Sequence, residues 1–336
     1  MSSKTRSALN FLLITTATVI AILSLAMGAA AQQMGDHHHL MPGAETSVPN
    51  ENEGQDWAVT ALKKSPRHQE WVKVKAGDRV VESFVVYPEV KSKATAVIVI
   101  HEIFGMSPWV QSLTDQLAEA GYIAIAPDLL SGMGPNGGGT SDVATGGNNA
   151  VGQKIRDLSP DQIAADLNAV ADYVSKLPAS NGKVVVGGFC WGGGTTFRFA
   201  TNRPSIKAAF VFYGPTPTTG AQGSQTIDKA ALAKIGAPVY GFYAGNDARI
   251  NANLPATVDA MKEAGKTFDP VTYEGAGHGF MRAGDAPEPK APEVTGNKEA
   301  DDKAAEAYQK SVTAYKANKK ARDEAWTRWK GILKKI

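Results

Sequence analysis

The chain has 336 residues, 43% of them hydrophobic and 20% charged, a balance that suits a globular core and excludes a wholly disordered polymer. Its 35 lysines and arginines against 33 acids leave a net charge of +2, so no global field recruits nucleic acid or an anionic membrane surface. A single cysteine excludes an intramolecular disulfide, and chemistry has to be sought in local clusters of residues.

In chain order, Lys4 and Arg6 precede an apolar stretch over residues 11–27, and Ala29-Ala30-Ala31 then offers a small-x-small cleavage site before Gln32. Residues 1–31 therefore read as a signal peptide, with a periplasmic or secreted location expected for the mature chain. The alternative is an uncleaved membrane anchor, because the apolar stretch is nearly long enough to span a bilayer. Residues 32–60 are polar, proline-bearing and aperiodic, and read as a flexible linker. Within them the run His37-His38-His39 lacks spaced partners, so no metal site is expected, and no cofactor motif appears elsewhere.

From His68 the pattern turns to β. EWVKVKAGDRVVESFVVYP alternates on both sides of a Gly77-Asp78 turn, as a hairpin does, and ATAVIVIH (94–101) is continuously apolar and β-branched, the pattern of a strand covered on both faces. Helical periodicity follows over 109–121 and 161–177, with the apolar strand YIAIAP between them. KVVVGGF, a helix from about Trp191, IKAAFVFYG, APVYGFYAG, a helix over 254–264 and TFDPVTYEG continue the alternation. Strands separated by helices imply crossovers, hence an α/β domain over 61–336 with a mostly parallel central sheet and helices on both faces. Two stretches interrupt the series. Residues 131–154 are a glycine-rich loop, a lid or a plain insertion; the charged C-terminal region ends in a helix packing through Trp326, Trp329 and Ile332, preceded by a more solvated one.

The one cysteine lies in GGFCWGGG (187–194), between a buried strand and a helix. Gly188-Phe189-Cys190-Trp191-Gly192 fits the nucleophile-elbow pattern, in which flanking glycines make room for a nucleophile on a strained turn and the helix N-terminus favours a thiolate. An elbow needs an acid and then a histidine, in that order. Asp247 follows APVYGFYAG and His278 follows VTYEGAG, both at the strand ends where open α/β sheets place their ligands. Taken singly, Asp247 is equally a helix cap and His278 a loop histidine.

Through HEIFG (101–105), APDL (126–129), GFCWGG (188–193), Asn246-Asp247 and HGFMR (278–282), the chain resembles the dienelactone hydrolase family of α/β-hydrolases across most of residues 68–336. The resemblance implies a catalytic triad of Cys190, Asp247 and His278, and an oxyanion hole from the backbone N–H groups of Ile103 and Trp191. It places on Glu102 the family's glutamate, which holds the resting thiol, with a surface carboxylate or a salt bridge to Arg282 as the plainer readings, and on Arg282 its carboxylate-binding arginine. The expected substrate is a small ester or lactone, anionic if Arg282 acts so. After APDL, prototypical members carry a tyrosine and a second arginine where this chain has Leu130, Ser131 and Gly132; Lys154 and Arg156 are candidates for the missing charge. Two other classes stay open: a non-catalytic binding protein on the same fold, and a thiol redox protein, against which the lack of a C-x-x-C pair counts.

Overall fold

Eight strands form one sheet in the computed structural model, which describes residues 55–147, 149–221 and 224–336. They are β1 (Gln69–Ala76), β2 (Arg79–Val86), β3 (Ala94–Ile100), β4 (Ile123–Pro127), β5 (Ser180–Phe189), β6 (Ala209–Phe212), β9 (Val239–Ala244) and β10 (Phe268–Tyr273); β7 (Thr218–Thr219) and β8 (Thr226–Ile227) pair apart as a short ribbon. The spatial order is β1-β2-β4-β3-β5-β6-β9-β10. β2 is antiparallel to both β1 and β4, and every other neighbouring pair is parallel. The hairpin turns at Gly77-Asp78, with Gly77 at φ +61°.

All seven residues of β3 are buried, and alternation along the strand sends them to two different cores. Ile98 and Ile100 join the face covered by α5 (Pro160–Ser175), α6 (Trp191–Asn202) and α9 (Leu254–Glu263), through residues such as Leu167, Phe197 and Met261. Val97 and Val99 join the face covered by α2 (Pro108–Glu119) and α10 (Lys298–Leu333), through Leu113 and Trp329. A parallel strand with both faces covered has no polar side to present, which is why it reads as a continuous apolar run.

Local chemistry fixes the helix starts. Ser107 and Ser159 accept from Val110 N and Gln162 N at the heads of α2 and α5, each followed by proline at the first helical position. Asn297 accepts from Ala300 N at the head of α10.

Three expectations need correction or completion. The linker does not run to residue 60: α1 (Asp56–Lys64) begins before that, with Ala58 fully buried and Trp57 packed on the α2 side of the core. Nine residues are too few to betray themselves by periodicity, and it is packing against α2 that holds them helical. The C-terminal region is one helix of 36 residues, α10, and not two. The glycine-rich segment contains α3 (Thr140–Ala144) and α4 (Ala150–Arg156), tied down where Thr140 N and Oγ1 donate to the Asp128 carboxylate at 2.7 and 2.8 Å. The expected signal peptide and residues 32–54 lie outside the described residues. Among the described residues no helix is long and apolar enough to cross a membrane.

Candidate active site

Cys190 joins β5 directly to α6 and adopts φ +55°, ψ −117°, a conformation that costs a non-glycine residue on the order of 1–3 kcal/mol and persists only where the surroundings impose it. Its N–H donates to Phe212 O on β6 at 3.1 Å, and its carbonyl accepts from Gly193 N and Gly194 N. The flanking glycines are steric necessities: a Cβ on Gly188 would lie 2.2 Å from Gly192 O, and one on Gly192 would lie 2.3 Å from His101 O. Both obstacles are backbone, which has no rotamer by which to yield. The turn thus holds the half-buried thiol at the edge of the sheet where β9 and β10 also end.

Asp247 and His278 arrive at that edge from the neighbouring strand ends. Asp247, three residues beyond β9, is buried; Oδ1 caps α8 (Ala248–Asn251) by accepting from Ile250 N, while Oδ2 lies 2.5 Å from His278 Nδ1. Asp247 is a helix cap through one oxygen and a partner of His278 through the other. Burial opposes charge on His278, but the Asp247 hydrogen bond and the adjacent Cys190 thiol outweigh it and raise the imidazole from 6.5 to about 9. Nε2 is buried beside the Cys190 thiol and makes no hydrogen bond of normal geometry with any other described residue.

The expected oxyanion donors follow the ends of two paired strands, β3 and β5. Trp191 opens α6, where the first N–H groups have no intrahelical acceptor, and Ile103 lies in the turn after β3. Among the described residues neither N–H donates to another protein group. His101 explains how the second is aimed. It is fully buried, and burial lowers its pKa against the opposing charge of Asp128, keeping the ring neutral. Leu129 N donates to its Nε2, so the ring proton sits on Nδ1 and is donated to Glu102 O at 2.7 Å. That bond pins the peptide plane between Glu102 and Ile103, while the face of the imidazole stacks on Trp191 at 5.6 Å.

Glu102 and Arg282 form a buried ion pair, Oε2 to Nη1 at 3.2 Å, which is one of the two plainer readings and sets aside the other, a surface carboxylate. The guanidinium also stands 5.7 Å from the centroid of the Phe104 ring. Sequence reasoning did not single out Tyr213. It follows β6 at φ +37°, is fully buried, and sets its ring edge-on to His278 at 5.0 Å. Burial first and the Glu102 charge second push its phenol far above the usual 10, so it remains protonated and a donor. Its left-handed backbone was invisible in the sequence, where a tyrosine ending a β run reads as core. Asn318 was missed too: from α10 its Oδ1 accepts from Gly277 N at 2.7 Å, holding the loop that carries His278. Of the two substitutes for the missing arginine, Arg156 lines a cleft beside Trp191 and Lys154 does not. Among the described residues no group of three or more His, Cys, Asp or Glu is placed to hold a metal ion.

The sheet order, the crossovers and the strand-to-helix turn define an α/β-hydrolase fold; the family match below makes it a carboxylic ester hydrolase. The chain belongs to the dienelactone hydrolase family, whose model matches residues 81–336. It is 33% identical over 218 residues to a candidate carboxymethylenebutenolidase of Methylorubrum extorquens, covering 62% of this chain and 71% of the relative. It is 30% identical over 237 residues to another from Saccharolobus solfataricus, covering 60% of this chain and 84% of the relative. Among solved structures it resembles a candidate dienelactone hydrolase from Klebsiella pneumoniae with a TM-score of 0.56 and 24% identity, covering 74% of this chain and 98% of that one. A dienelactone hydrolase-like promiscuous phosphotriesterase from metagenomic libraries gives the same TM-score at 17% identity, covering 80% and 98%; at these identities the likeness speaks for the fold alone.

Proposed function

We propose that the protein hydrolyses small carboxylic esters or lactones through a thioester on Cys190. The observation that carries the reading is the strained Cys190 turn standing against a half-buried His278 whose other nitrogen is held 2.5 Å from Asp247. In the first half-reaction Cys190 reacts as the thiolate, its proton already held by His278 Nε2, and Sγ attacks the carbonyl carbon. Negative charge moves to the carbonyl oxygen, where the Ile103 and Trp191 N–H groups are free to receive it. Collapse of this adduct expels the alkoxide, which takes the proton from His278; in a lactone the leaving oxygen stays on the acyl chain. In the second half, His278 takes a proton from water, the hydroxide adds to the thioester, and Sγ leaves as the thiolate with the proton kept on His278, releasing the carboxylic acid. Asp247 fixes the imidazole tautomer and stabilises the imidazolium, and a raised imidazole pKa favours proton transfer from the thiol. Arg282 is the candidate for a substrate carboxylate, but its charge is already balanced by Glu102, so an anionic substrate would have to share or displace that pair.

The test is turnover of short aryl esters by purified protein. Cys190→Ala and His278→Ala each lower kcat by about a thousandfold or more while leaving the fold intact; full turnover in both variants refutes the mechanism. Cys190→Ser separates a site tuned for thiolate, in which activity collapses, from one indifferent to the nucleophile. The chain is further proposed to act outside the cytoplasm after removal of residues 1–31, on the strength of the sequence pattern. Mass spectrometry of the extracytoplasmic fraction should find a chain beginning at Gln32, and an intact chain confined to the cytoplasm rejects that.

A further inference from the structure

Nine arginines fall among the described residues, and six of them are ion-paired: Arg67, Arg79, Arg203, Arg282, Arg322 and Arg328. The other three, Arg156, Arg198 and Arg249, are exposed and their guanidinium groups make neither an ion pair nor a hydrogen bond with any described residue. They come from three separate elements, the end of α4, the middle of α6 and the start of α8, yet all three line one cleft of about 460 Å³. No aspartate, glutamate or lysine lines it. Arginines scattered over a surface need no explanation, but here every acid-free arginine converges on one concavity of the size that takes a small molecule.

Chain adjacency places the cleft next to the chemistry. Trp191, whose N–H faces the developing oxyanion in the proposed mechanism, forms part of its wall, and Arg249 is two residues past Asp247. The triad side chains do not line it, so it is an annex to the reacting centre and not the centre itself. Arg282, by contrast, is buried against Glu102 and carries no uncompensated charge. A singly charged carboxylate satisfies one guanidinium; three convergent guanidinium groups without a counter-ion call for an anion of two or more charges.

We propose that this cleft binds the multiply charged end of the substrate, a phosphate or polycarboxylate group carried away from the carbonyl that Cys190 attacks. The assignment of that end to a substrate rests on the hydrolase reading above; the binding of the anion does not. The first arm measures binding of inorganic phosphate and of propane-1,2,3-tricarboxylate to the full chain by calorimetry at low salt, in the wild type and in an R156A/R198A/R249A variant. The wild type is expected to bind one of the two, the chemistry it prefers identifying the group, and the variant to lose at least about tenfold in affinity. Because these side chains are exposed and unpaired, the variant should retain the wild-type melting temperature, and Arg→Lys replacements should restore part of the affinity by restoring charge without the planar fork.

In the second arm the bound anion should raise KM for a neutral aryl ester without changing kcat. Absence of binding by both anions, or equal binding by the triple variant, overturns the cleft. Binding that leaves KM unchanged overturns its place beside the reacting carbonyl. Absence of ester turnover in the wild type sinks the hydrolase reading and the substrate assignment with it, but the calorimetric arm still decides whether the three arginines hold an anion.

Discussion

Cys190 carries two demands at once, a backbone bend that presents Sγ at the sheet edge and a helix start that follows without a spacer, and both are met by what surrounds it. Gly188 and Gly192 have no freedom to be anything larger, since the atoms a Cβ would strike belong to the turn itself and to the ends of β3. Gly192→Ala is the sharpest test. Relief of a 2.3 Å contact with His101 O and a 2.5 Å contact with Ile100 O can come only from moving the turn or the strand end that aims Ile103 N. It should cost about 1–3 kcal/mol or more and lower ester turnover far beyond that loss, because a shift of one ångström at the nucleophile costs on the order of a hundredfold. Unchanged melting and turnover would mean that the turn tolerates bulk and that the glycines are incidental. At this scale the sequence was informative where a residue type and a strand end coincide, as for Cys190, Asp247 and His278. It was silent where a role depends on a neighbour brought by the sheet: Tyr213 meets His278 only because β6, β9 and β10 lie side by side, and the carboxylate of Glu102 found Arg282 on a short helical turn 180 residues away.

The elements divide in the same way. Strands and long amphipathic helices were legible because each has one dominant period, whereas α3 and α4 are five and seven residues long and owe their shape to Asp128 and to the core beneath them. α10 was misread as two helices because its first half is solvated and its second half apolar. It continues unbroken because no proline interrupts it and pairs such as Lys298–Asp302 and Lys319–Asp323 support the exposed turns. Its inner stripe, Asn318, Ala321, Ala325, Trp329 and Leu333, recurs every three or four residues and faces the sheet. Trp329 fills the place opened by Gly187, whose Cβ would sit 2.9 Å from the indole, and packs against Phe189, Phe210 and Phe212. Trp329→Ala should therefore cost about 3–5 kcal/mol in urea unfolding. Asn318→Ala removes the acceptor for Gly277 N and should cost about 1–2 kcal/mol, but with kcat falling more than stability predicts, since the freed loop carries His278. If kcat instead follows stability alone, α10 is only a structural buttress.

For the whole molecule, the alternation of strands and helices announced a parallel sheet, but strand order and the antiparallel entry of β2 depend on pairings no periodicity encodes. The site that this order assembles also ties stability to pH. His278 is raised from 6.5 to about 9 in the folded state by its contacts with Asp247 and Cys190, which prevail over burial. Below about pH 6.5 the imidazole is protonated in both folded and unfolded chains, so the stabilisation of the imidazolium is present in full. As pH rises towards 9 the unfolded chain releases that proton while the folded chain still holds it, and the contribution drains away until, above the folded value, none is left. The side chain is 29% exposed, so the change should be about 1–3 kcal/mol. Urea midpoints of the wild type should fall between pH 6.5 and 9, while those of His278→Gln, which has no proton to lose at this position, should stay nearly flat over the same window. A parallel fall in both proteins would place the titrating group elsewhere and leave the Asp247–His278 contact without the charge assigned to it.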